Sequence, residues 1–159
     1  MPANRKSLTI LVADDDQDDR EFIKKAWEKS RVSNHLRFVE DGEELTEYLN
    51  HTGRYSDPES APRPAVILLD LNMPKKNGLE ALQEIKANPG LRQVPVIVLT
   101  ASQAEEDILR SYDLGANSYI AKPVTFEALV KVLRVLGKYW IEIVEVQSDA
   151  PSQSSMKAT

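Results

Sequence analysis

Residues 11–19 read LVADDDQDD and join a predicted buried strand to a dense group of carboxylates. A short apolar run, of the kind that forms a buried strand, ends in five aspartates among six residues. Carboxylates are rarely buried without partners. Five of them at the end of a buried strand therefore need an explanation. The explanation depends on which other residues the fold places near the end of this strand.

Short apolar runs alternate along the chain with segments of helical period. Strands are predicted at Leu8–Ala13, Leu36–Val39, Ala65–Leu69, Val94–Thr100 and Ser118–Ala121. The segments between them carry apolar residues three or four apart: Phe22, Ile23, Ala26 and Trp27; Leu45, Tyr48 and Leu49; Leu79, Leu82 and Ile85; Ile108, Leu109 and Tyr112; Phe126, Leu129, Val130, Leu133 and Leu136. Five strand–helix units in strict alternation indicate an α/β fold with a parallel sheet and helices on both faces.

The strands and the turn residues also predict positions within this fold. The runs at 8–13, 65–69 and 94–100 are almost continuously apolar, which is typical of strands covered on both faces, so we expect them to be central. Asn88 to Gly90 should end the third helix, and Gly115 should follow the fourth. Residues 52–65, with three prolines, indicate a long surface loop, and residues 147–159 a disordered tail.

Composition restricts the setting and the partners. The chain has 159 residues and no cysteine, which excludes disulfides and thiolate metal sites and, with no signal peptide visible, favours a cytoplasmic location. No apolar stretch approaches the length of about 20 residues that a membrane span needs, so we expect no membrane partner. The net charge of −5 is unfavourable for contact with a phosphate backbone, so we expect no nucleic acid partner.

Three aspartates are expected at one edge of the sheet. Asp14 and Asp15 follow the first strand and Asp70 follows the third, and parallel strands bring their carboxyl ends together. Three carboxylates there would repel one another unless a hard cation lay among them, and Mg²⁺ prefers such oxygen ligands. Capping of the first helix is the alternative, and we assign it to the other three aspartates of the stretch. It does not explain why a different strand also ends in aspartate.

The fourth and fifth strands add a hydroxyl and an ammonium to the same edge. Thr100 ends the fourth strand, with Ala101 behind it, and Lys122 follows the fifth. Each has an ordinary explanation by itself, as a strand end or a solvated lysine. Together with the carboxylates and a metal, a hydroxyl, a backbone N–H and an ammonium could hold a phosphoryl group.

With these residues the chain resembles a known family, the receiver domains of two-component response regulators, over about residues 7–138. The matching motifs are the acidic pair at 14–15, the segment DLNMPKKNGLEAL from residue 70, LTA at 99–101 and YIAKP at 119–123. More narrowly, ILLDLNMPKKNG, EEDILRSYDLGANSYIAKP, the long loop before the third strand and the Tyr139–Trp140 pair are similar to the stand-alone regulators associated with phytochromes.

The resemblance implies a flavodoxin-like (βα)5 three-layer sandwich with strand order 2-1-3-4-5, and a receiver domain with a C-terminal extension over residues 7–146. Asp70 would be the phosphoacceptor. Asp15 and Asp70 would bind Mg²⁺ directly, Asp14 would bind it through water, and the backbone carbonyl of Asn72 would complete the protein ligands. The phosphodonor would be a sensor histidine kinase, of the phytochrome type if the narrower resemblance holds.

The resemblance also implies how the phosphoryl group is held and sensed. Lys122, Thr100, Ala101 and Asn72 would contact it, and the peptide bond between Lys122 and Pro123 would be cis. Thr100 and Tyr119 would form a switch, in which the hydroxyl moves toward the phosphoryl group and the ring turns inward.

A second class of function uses similar residues. Mg²⁺-dependent phosphohydrolases related to haloacid dehalogenases also attack with a strand-end aspartate. They carry a second aspartate two positions later, where this chain has Asn72, and a cap region for which this chain has no candidate. The signalling function is therefore favoured over turnover of phosphate esters.

The fifth helix carries a second apolar set beyond its core stripe, which suggests an output surface. The residues we single out as an interface are Val132, Val135, Tyr139, Trp140 and Ile143. This segment could fold back onto its own domain. Otherwise a contiguous exposed apolar patch indicates an interface, and the hypothesis is a homodimer through the fourth helix, fifth strand and fifth helix.

Overall fold

A computed structural model describes residues 8–30 and 35–138, and it confirms the predicted alternation. The strands are β1 (Thr9–Ala13), β2 (His35–Val39), β3 (Val66–Leu69), β4 (Val96–Thr100) and β5 (Ser118–Ala121). The helices are α1 (Gln17–Ser30), α2 (Gly42–Asn50), α3 (Gly78–Ala87), α4 (Glu105–Asp113) and α5 (Phe126–Leu136). Each predicted strand and each predicted helical segment is present.

The five strands form one parallel sheet in the order β2-β1-β3-β4-β5, as predicted. Every residue of β1, β3 and β4 is buried, whereas β2 and β5, at the edges, are partly exposed. In the sheet register Ala13 pairs with both Val39 and Leu69, and Thr100 pairs with Ala121. The residues that follow these pairs therefore lie side by side at the carboxyl edge.

Alternate strand residues pack into two separate cores. Leu11 and Leu69 face the core shared with α2 and α3, and Ile10 and Leu68 face the core shared with α1 and α5. This division follows from the two-residue period of a strand, whose successive side chains point to opposite faces. The result is the three-layer sandwich expected from the sequence.

Helix α4 is present, but its apolar side chains are not in the core. Leu109 is 59% exposed and Tyr112 is 47% exposed, whereas the buried residue of the helix is Ser111, whose hydroxyl donates to the carbonyl of Asp107. The apolar spacing correctly predicts a helix at this position. It does not mark the buried face of the helix, where the small, internally hydrogen-bonded Ser111 lies.

The loop over residues 52–65 is more ordered than its sequence indicates. It contains two 3₁₀ turns, at Gly53–Tyr55 and Pro58–Ser60. The hydroxyl of Tyr48 donates to the carbonyl of Pro62 at 2.8 Å, and Nε2 of His51 lies 2.8 Å from the carbonyl oxygen of Ala61. Side chains of α2 and its cap thus satisfy backbone groups of the loop and hold it against the domain.

Two glycines allow close packing around the loop that follows β3. A Cβ atom at Gly42, at the start of α2, would overlap the backbone of Lys76, and one at Gly78 would overlap the backbone of Asp70. The start of α2 therefore packs directly on Lys76, and the start of α3 packs on the backbone of Asp70 and Leu71. This contact fixes the path of the chain just after Asp70.

Some predictions concern residues outside these ranges. The C-terminal extension over residues 139–146 and the tail over 147–159 both lie outside the described residues. Among the residues from 8 to 30 and from 35 to 138, no helix has the length and hydropathy to cross a membrane.

Candidate functional site

The three predicted carboxylates meet at the carboxyl edge of the sheet. Asp14 and Asp15 follow β1, Asp70 follows β3, and one oxygen from each lies within 4.8 Å of the others. Asp14 and Asp70 are buried, at 1% and 7% exposure, and Asp15 is exposed. This set of hard oxygen donors fits an ion such as Mg²⁺.

The backbone around Asp14 holds its carboxylate in place. The N–H of Asp16 donates to Oδ1 of Asp14 at 3.0 Å, and Arg20 donates to the carbonyl of Asp14 at 2.9 Å. Asp16 in turn accepts the N–H of Asp19 at 3.0 Å, as an N-cap of α1 does. The capping interpretation is therefore correct for Asp16.

Lys122 lies at the centre of the carboxylates. Its Nζ donates to Oδ2 of Asp14 at 2.6 Å, of Asp19 at 2.7 Å and of Asp70 at 2.8 Å. Burial by itself would lower the pKa of Lys122, but these three hydrogen bonds outweigh it and raise the pKa above its ordinary value. The ammonium is therefore fully charged in this site.

Asp19 is a site residue that the sequence interpretation missed. It was assigned to helix capping, but the first turn of α1 carries its carboxylate to Lys122, a residue 103 positions away in sequence. The available signal was its position one helical turn beyond the strand-end aspartates, on the side of α1 toward the sheet edge.

Asp70 has partners on both carboxylate oxygens. Oδ2 accepts from Lys122, and Oδ1 accepts from the hydroxyl of Thr100 at 2.7 Å and from the N–H of Asn72 at 3.1 Å. Thr100 is fully buried, so its hydroxyl has a fixed direction. The structure thus brings the threonine, the lysine and the phosphoacceptor candidate into direct contact.

Charge in this site is unbalanced. The ammonium of Lys122 contacts three carboxylates, those of Asp14, Asp19 and Asp70, and a fourth, that of Asp15, lies beside Asp14 and Asp70. Burial raises the pKa of Asp14, and the hydrogen bond from Lys122 only partly offsets that effect. A divalent cation would neutralise much of the excess negative charge and would permit an anionic phosphoryl group to enter.

Tyr119 contacts the loop that follows β4. Its hydroxyl donates to the carbonyl of Ser102 at 2.6 Å, and its partly buried ring packs against the core on the α2 and α3 side. Burial raises the pKa of its hydroxyl above the ordinary value. Ala101, whose N–H was predicted to face a phosphoryl group, is exposed between Thr100 and this contact.

The expected cis peptide bond is absent. The described residues contain no cis peptide, so the bond between Lys122 and Pro123 is trans, and the expectation was wrong. The two isomers of an X–Pro bond differ by only about 0.5–1 kcal/mol, so the local sequence does not impose either one. With this trans bond, Nζ of Lys122 still contacts the carboxylates of Asp14, Asp19 and Asp70.

Two of the predicted interface residues, Val132 and Val135, lie away from this site, on α5. Val135 is 64% exposed and Val132 is partly buried, and both line an apolar groove of about 260 Å³ together with Ile120. The other three members of the predicted set, Tyr139, Trp140 and Ile143, lie outside the described residues.

Comparison with known proteins agrees with this fold and this pocket. Residues 10–134 match the family model described as the response regulator receiver domain, and the chain belongs to that family. Response regulator Rcp1 of Synechocystis is 38% identical over 135 residues, which cover 85% of this chain and 90% of Rcp1.

Solved structures place the chain in the same group. The phosphorylated cyanobacterial phytochrome response regulator RcpA superposes with a TM-score of 0.79 at 38% identity, covering 87% of this chain and 96% of RcpA. The Mn²⁺-bound form of Rcp1 gives a TM-score of 0.76 at 38% identity, covering 85% of this chain and 95% of Rcp1. The predicted receiver fold and the resemblance to phytochrome-associated regulators are confirmed.

Proposed function

We propose that this receiver domain accepts a phosphoryl group on Asp70 from a sensor histidine kinase in a Mg²⁺-dependent reaction. The observation that carries the proposal is the contact set of Asp70, whose two oxygens meet the Thr100 hydroxyl and the Lys122 ammonium beside Asp14 and Asp15. A nucleophilic carboxylate, a cation and a hydroxyl donor are the groups that phosphoryl transfer requires.

Mg²⁺ is the proposed cofactor. Asp15 and Asp70 would bind it directly, Asp14 through water, and the backbone carbonyl of Asn72 would be the remaining protein ligand. The oxygen donors suit this ion, and the Mn²⁺-bound form of Rcp1 shows that a relative takes a divalent cation. When bound, the ion would supply positive charge for the transferring phosphoryl group.

The chain's own residues would do the rest of the chemistry. A carboxylate oxygen of Asp70 attacks phosphorus in line, the bond from phosphorus to the donor breaks, and the donor leaves. Lys122, Thr100, the backbone N–H of Ala101 and Asn72 would contact the phosphoryl oxygens and stabilise their charge. The acyl phosphate would then hydrolyse in water, so the protein would be a self-limiting signalling acceptor and not a turnover enzyme.

Output would follow from the new charge. The product carries nearly two negative charges close to Thr100, which favours movement of that hydroxyl toward the phosphoryl group. Tyr119, bonded to the loop after Thr100, would respond and change the surface of α4, β5 and α5. The phytochrome-associated relatives suggest a phytochrome-type kinase, acting in the cytoplasm, as the phosphodonor.

We further propose that α4, β5 and α5 form a homodimer interface within a receiver domain spanning residues 7–146. Val132 and Val135 line an apolar groove, and Leu109 and Tyr112 on α4 are exposed apolar residues as well. Tyr139, Trp140 and Ile143 would complete the interface. Light scattering with and without the phosphoryl analogue beryllofluoride should give a dimeric mass in at least one state, and a monomeric mass in both would contradict the dimer.

Intact-mass measurement tests the proposed reaction. The chain is incubated with acetyl phosphate and either Mg²⁺ or EDTA, alongside the Asp70→Asn variant. One added phosphoryl group is expected only on the wild type and only with Mg²⁺. Addition to Asp70→Asn, or addition in EDTA at the same rate, would refute the assignment.

A further inference from the structure

Asp19 differs from the other carboxylates that contact Lys122. It lies on the first turn of α1 and not at a strand end, and its side chain is 42% exposed, against 2% for Asp14 and 8% for Asp70. It is also not one of the three aspartates whose oxygens converge for a cation. Its contact with Lys122 at 2.7 Å is nevertheless as short as the other two.

The three contacts use every N–H donor of the Lys122 ammonium. Two of the acceptors, Asp14 and Asp70, belong to the proposed cation site, so a cation that binds there competes with Lys122 for the charge of these two carboxylates. Asp19 is the acceptor that remains. Its backbone is fixed by the hydrogen bond from its N–H to the capping residue Asp16, which keeps its carboxylate available to Lys122.

We propose that Asp19 is a positioning residue for Lys122: it holds the ammonium on the α1 side of the pocket when a cation takes Asp14 and Asp70, and it limits the attraction of Lys122 for an incoming phosphoryl group. The proposal rests on the function proposed above for Asp70. A cavity of about 270 Å³, lined mainly by apolar residues, opens beside Asp19 and Lys122, so this pair lies at an opening of the protein and not in its closed core.

This role predicts changes of opposite sign on removal of the Asp19 charge. Without that charge Lys122 competes harder for Asp14 and Asp70, so Mg²⁺ binds less tightly. The same uncompensated ammonium attracts an anionic phosphodonor more strongly. Because the pair is partly exposed, each effect should be about two- to fivefold, the range of measured ion pairs at the surface.

The test uses the full chain with Asp19→Asn, which keeps the side-chain size and removes the charge. Calorimetric titration should show a Mg²⁺ affinity two- to fivefold weaker. Mass-detected labelling at saturating Mg²⁺ should show a half-saturating acetyl phosphate concentration two- to fivefold lower. Asp19→Glu, which keeps the charge, should restore both values toward the wild type.

Asp18→Asn is the matched control. Asp18 lies on the same turn of α1 and is exposed, and its side chain makes no hydrogen bond or ion pair with any residue that the structure describes, so loss of its charge should leave both values within twofold of the wild type. If Asp19→Asn weakens both Mg²⁺ and donor binding, or changes neither, the positioning role is refuted. A wild type that binds Mg²⁺ but takes no phosphoryl group would instead refute the proposed function, and the donor part of this role with it.

Discussion

Replacement of Lys122 by methionine tests the electrostatics of the pocket most sharply. Methionine keeps an unbranched apolar side chain of similar length, but it removes the ammonium that now donates to Asp14, Asp19 and Asp70. Asp14 and Asp70 are almost inaccessible to water, so hydration could not replace the positive charge that their carboxylates would lose. Asp19, at 42% exposure, would be hydrated instead.

The magnitude follows from this burial. Removal of one partner from a buried ion pair costs about 3–5 kcal/mol, and from an exposed pair at most about 1 kcal/mol. Lys122 itself is 16% exposed, so its loss is partly relieved by water. We expect the free energy of unfolding in EDTA to fall by about 3 kcal/mol. At saturating Mg²⁺ the cation supplies the missing charge, and the loss should shrink to about 1 kcal/mol.

Urea denaturation at neutral pH measures both values. Lys25→Met is the control, because Lys25 is exposed on α1 and its replacement should change stability by less than about 0.5 kcal/mol in either condition. A loss for Lys122→Met that is below 1 kcal/mol in EDTA, or that is the same with and without Mg²⁺, would refute the view that Lys122 compensates a cation site.

Four further outcomes are expected from the same structure. Gly42→Ala should destabilise by about 2 kcal/mol because its Cβ overlaps the loop after β3, whereas Gly90→Ala, whose Cβ would only touch the side-chain oxygen of Asn88 at 3.4 Å, should be close to neutral by urea denaturation. Thr100→Val should cost about 1–2 kcal/mol in the same assay, because a buried hydroxyl that donates to the phosphoacceptor candidate is lost. Mg²⁺ at ten times its dissociation constant should stabilise the wild type by about 1.4 kcal/mol, or about 3–6 °C in a thermal melt, and Asp15→Asn should lose most of this shift. Burial raises the pKa of Asp14, so this carboxyl binds a proton more readily in the folded wild type than in the unfolded chain. In EDTA, the stability of the wild type relative to Asp14→Asn should therefore fall as the pH rises from about 4 through that raised pKa. A stability difference that stays constant over this pH range would contradict the expectation.

The architecture was predictable because the signals were long and redundant. The continuous apolar runs of β1, β3 and β4 identified central strands, and parallel strands necessarily present their carboxyl ends together. The convergence of Asp14, Asp15, Asp70, Thr100 and Lys122 followed from that topology alone. Residue type at each strand end was enough, without knowledge of side-chain rotamers.

Other features depend on packing that sequence pattern does not encode. The contact of Asp19 with Lys122 joins α1 to the end of β5 across 103 residues, and the helical position of Asp19 alone does not name that partner. Leu109 and Tyr112 carry a helical apolar spacing, yet the packing face of α4 is defined by Ser111. The isomer of the bond before Pro123 involves a small energy difference, and the family resemblance predicted it wrongly.

The central claim is that Asp70 is the phosphoacceptor, and locating the phosphoryl group tests it most directly. The wild type is labelled with acetyl phosphate and Mg²⁺, reduced with borohydride to convert the acyl phosphate into a stable alcohol, digested and sequenced by tandem mass spectrometry. The account predicts that the reduced residue is Asp70 and no other. A reduced residue at Asp14, Asp15 or Asp19, with Asp70 unmodified, would contradict it.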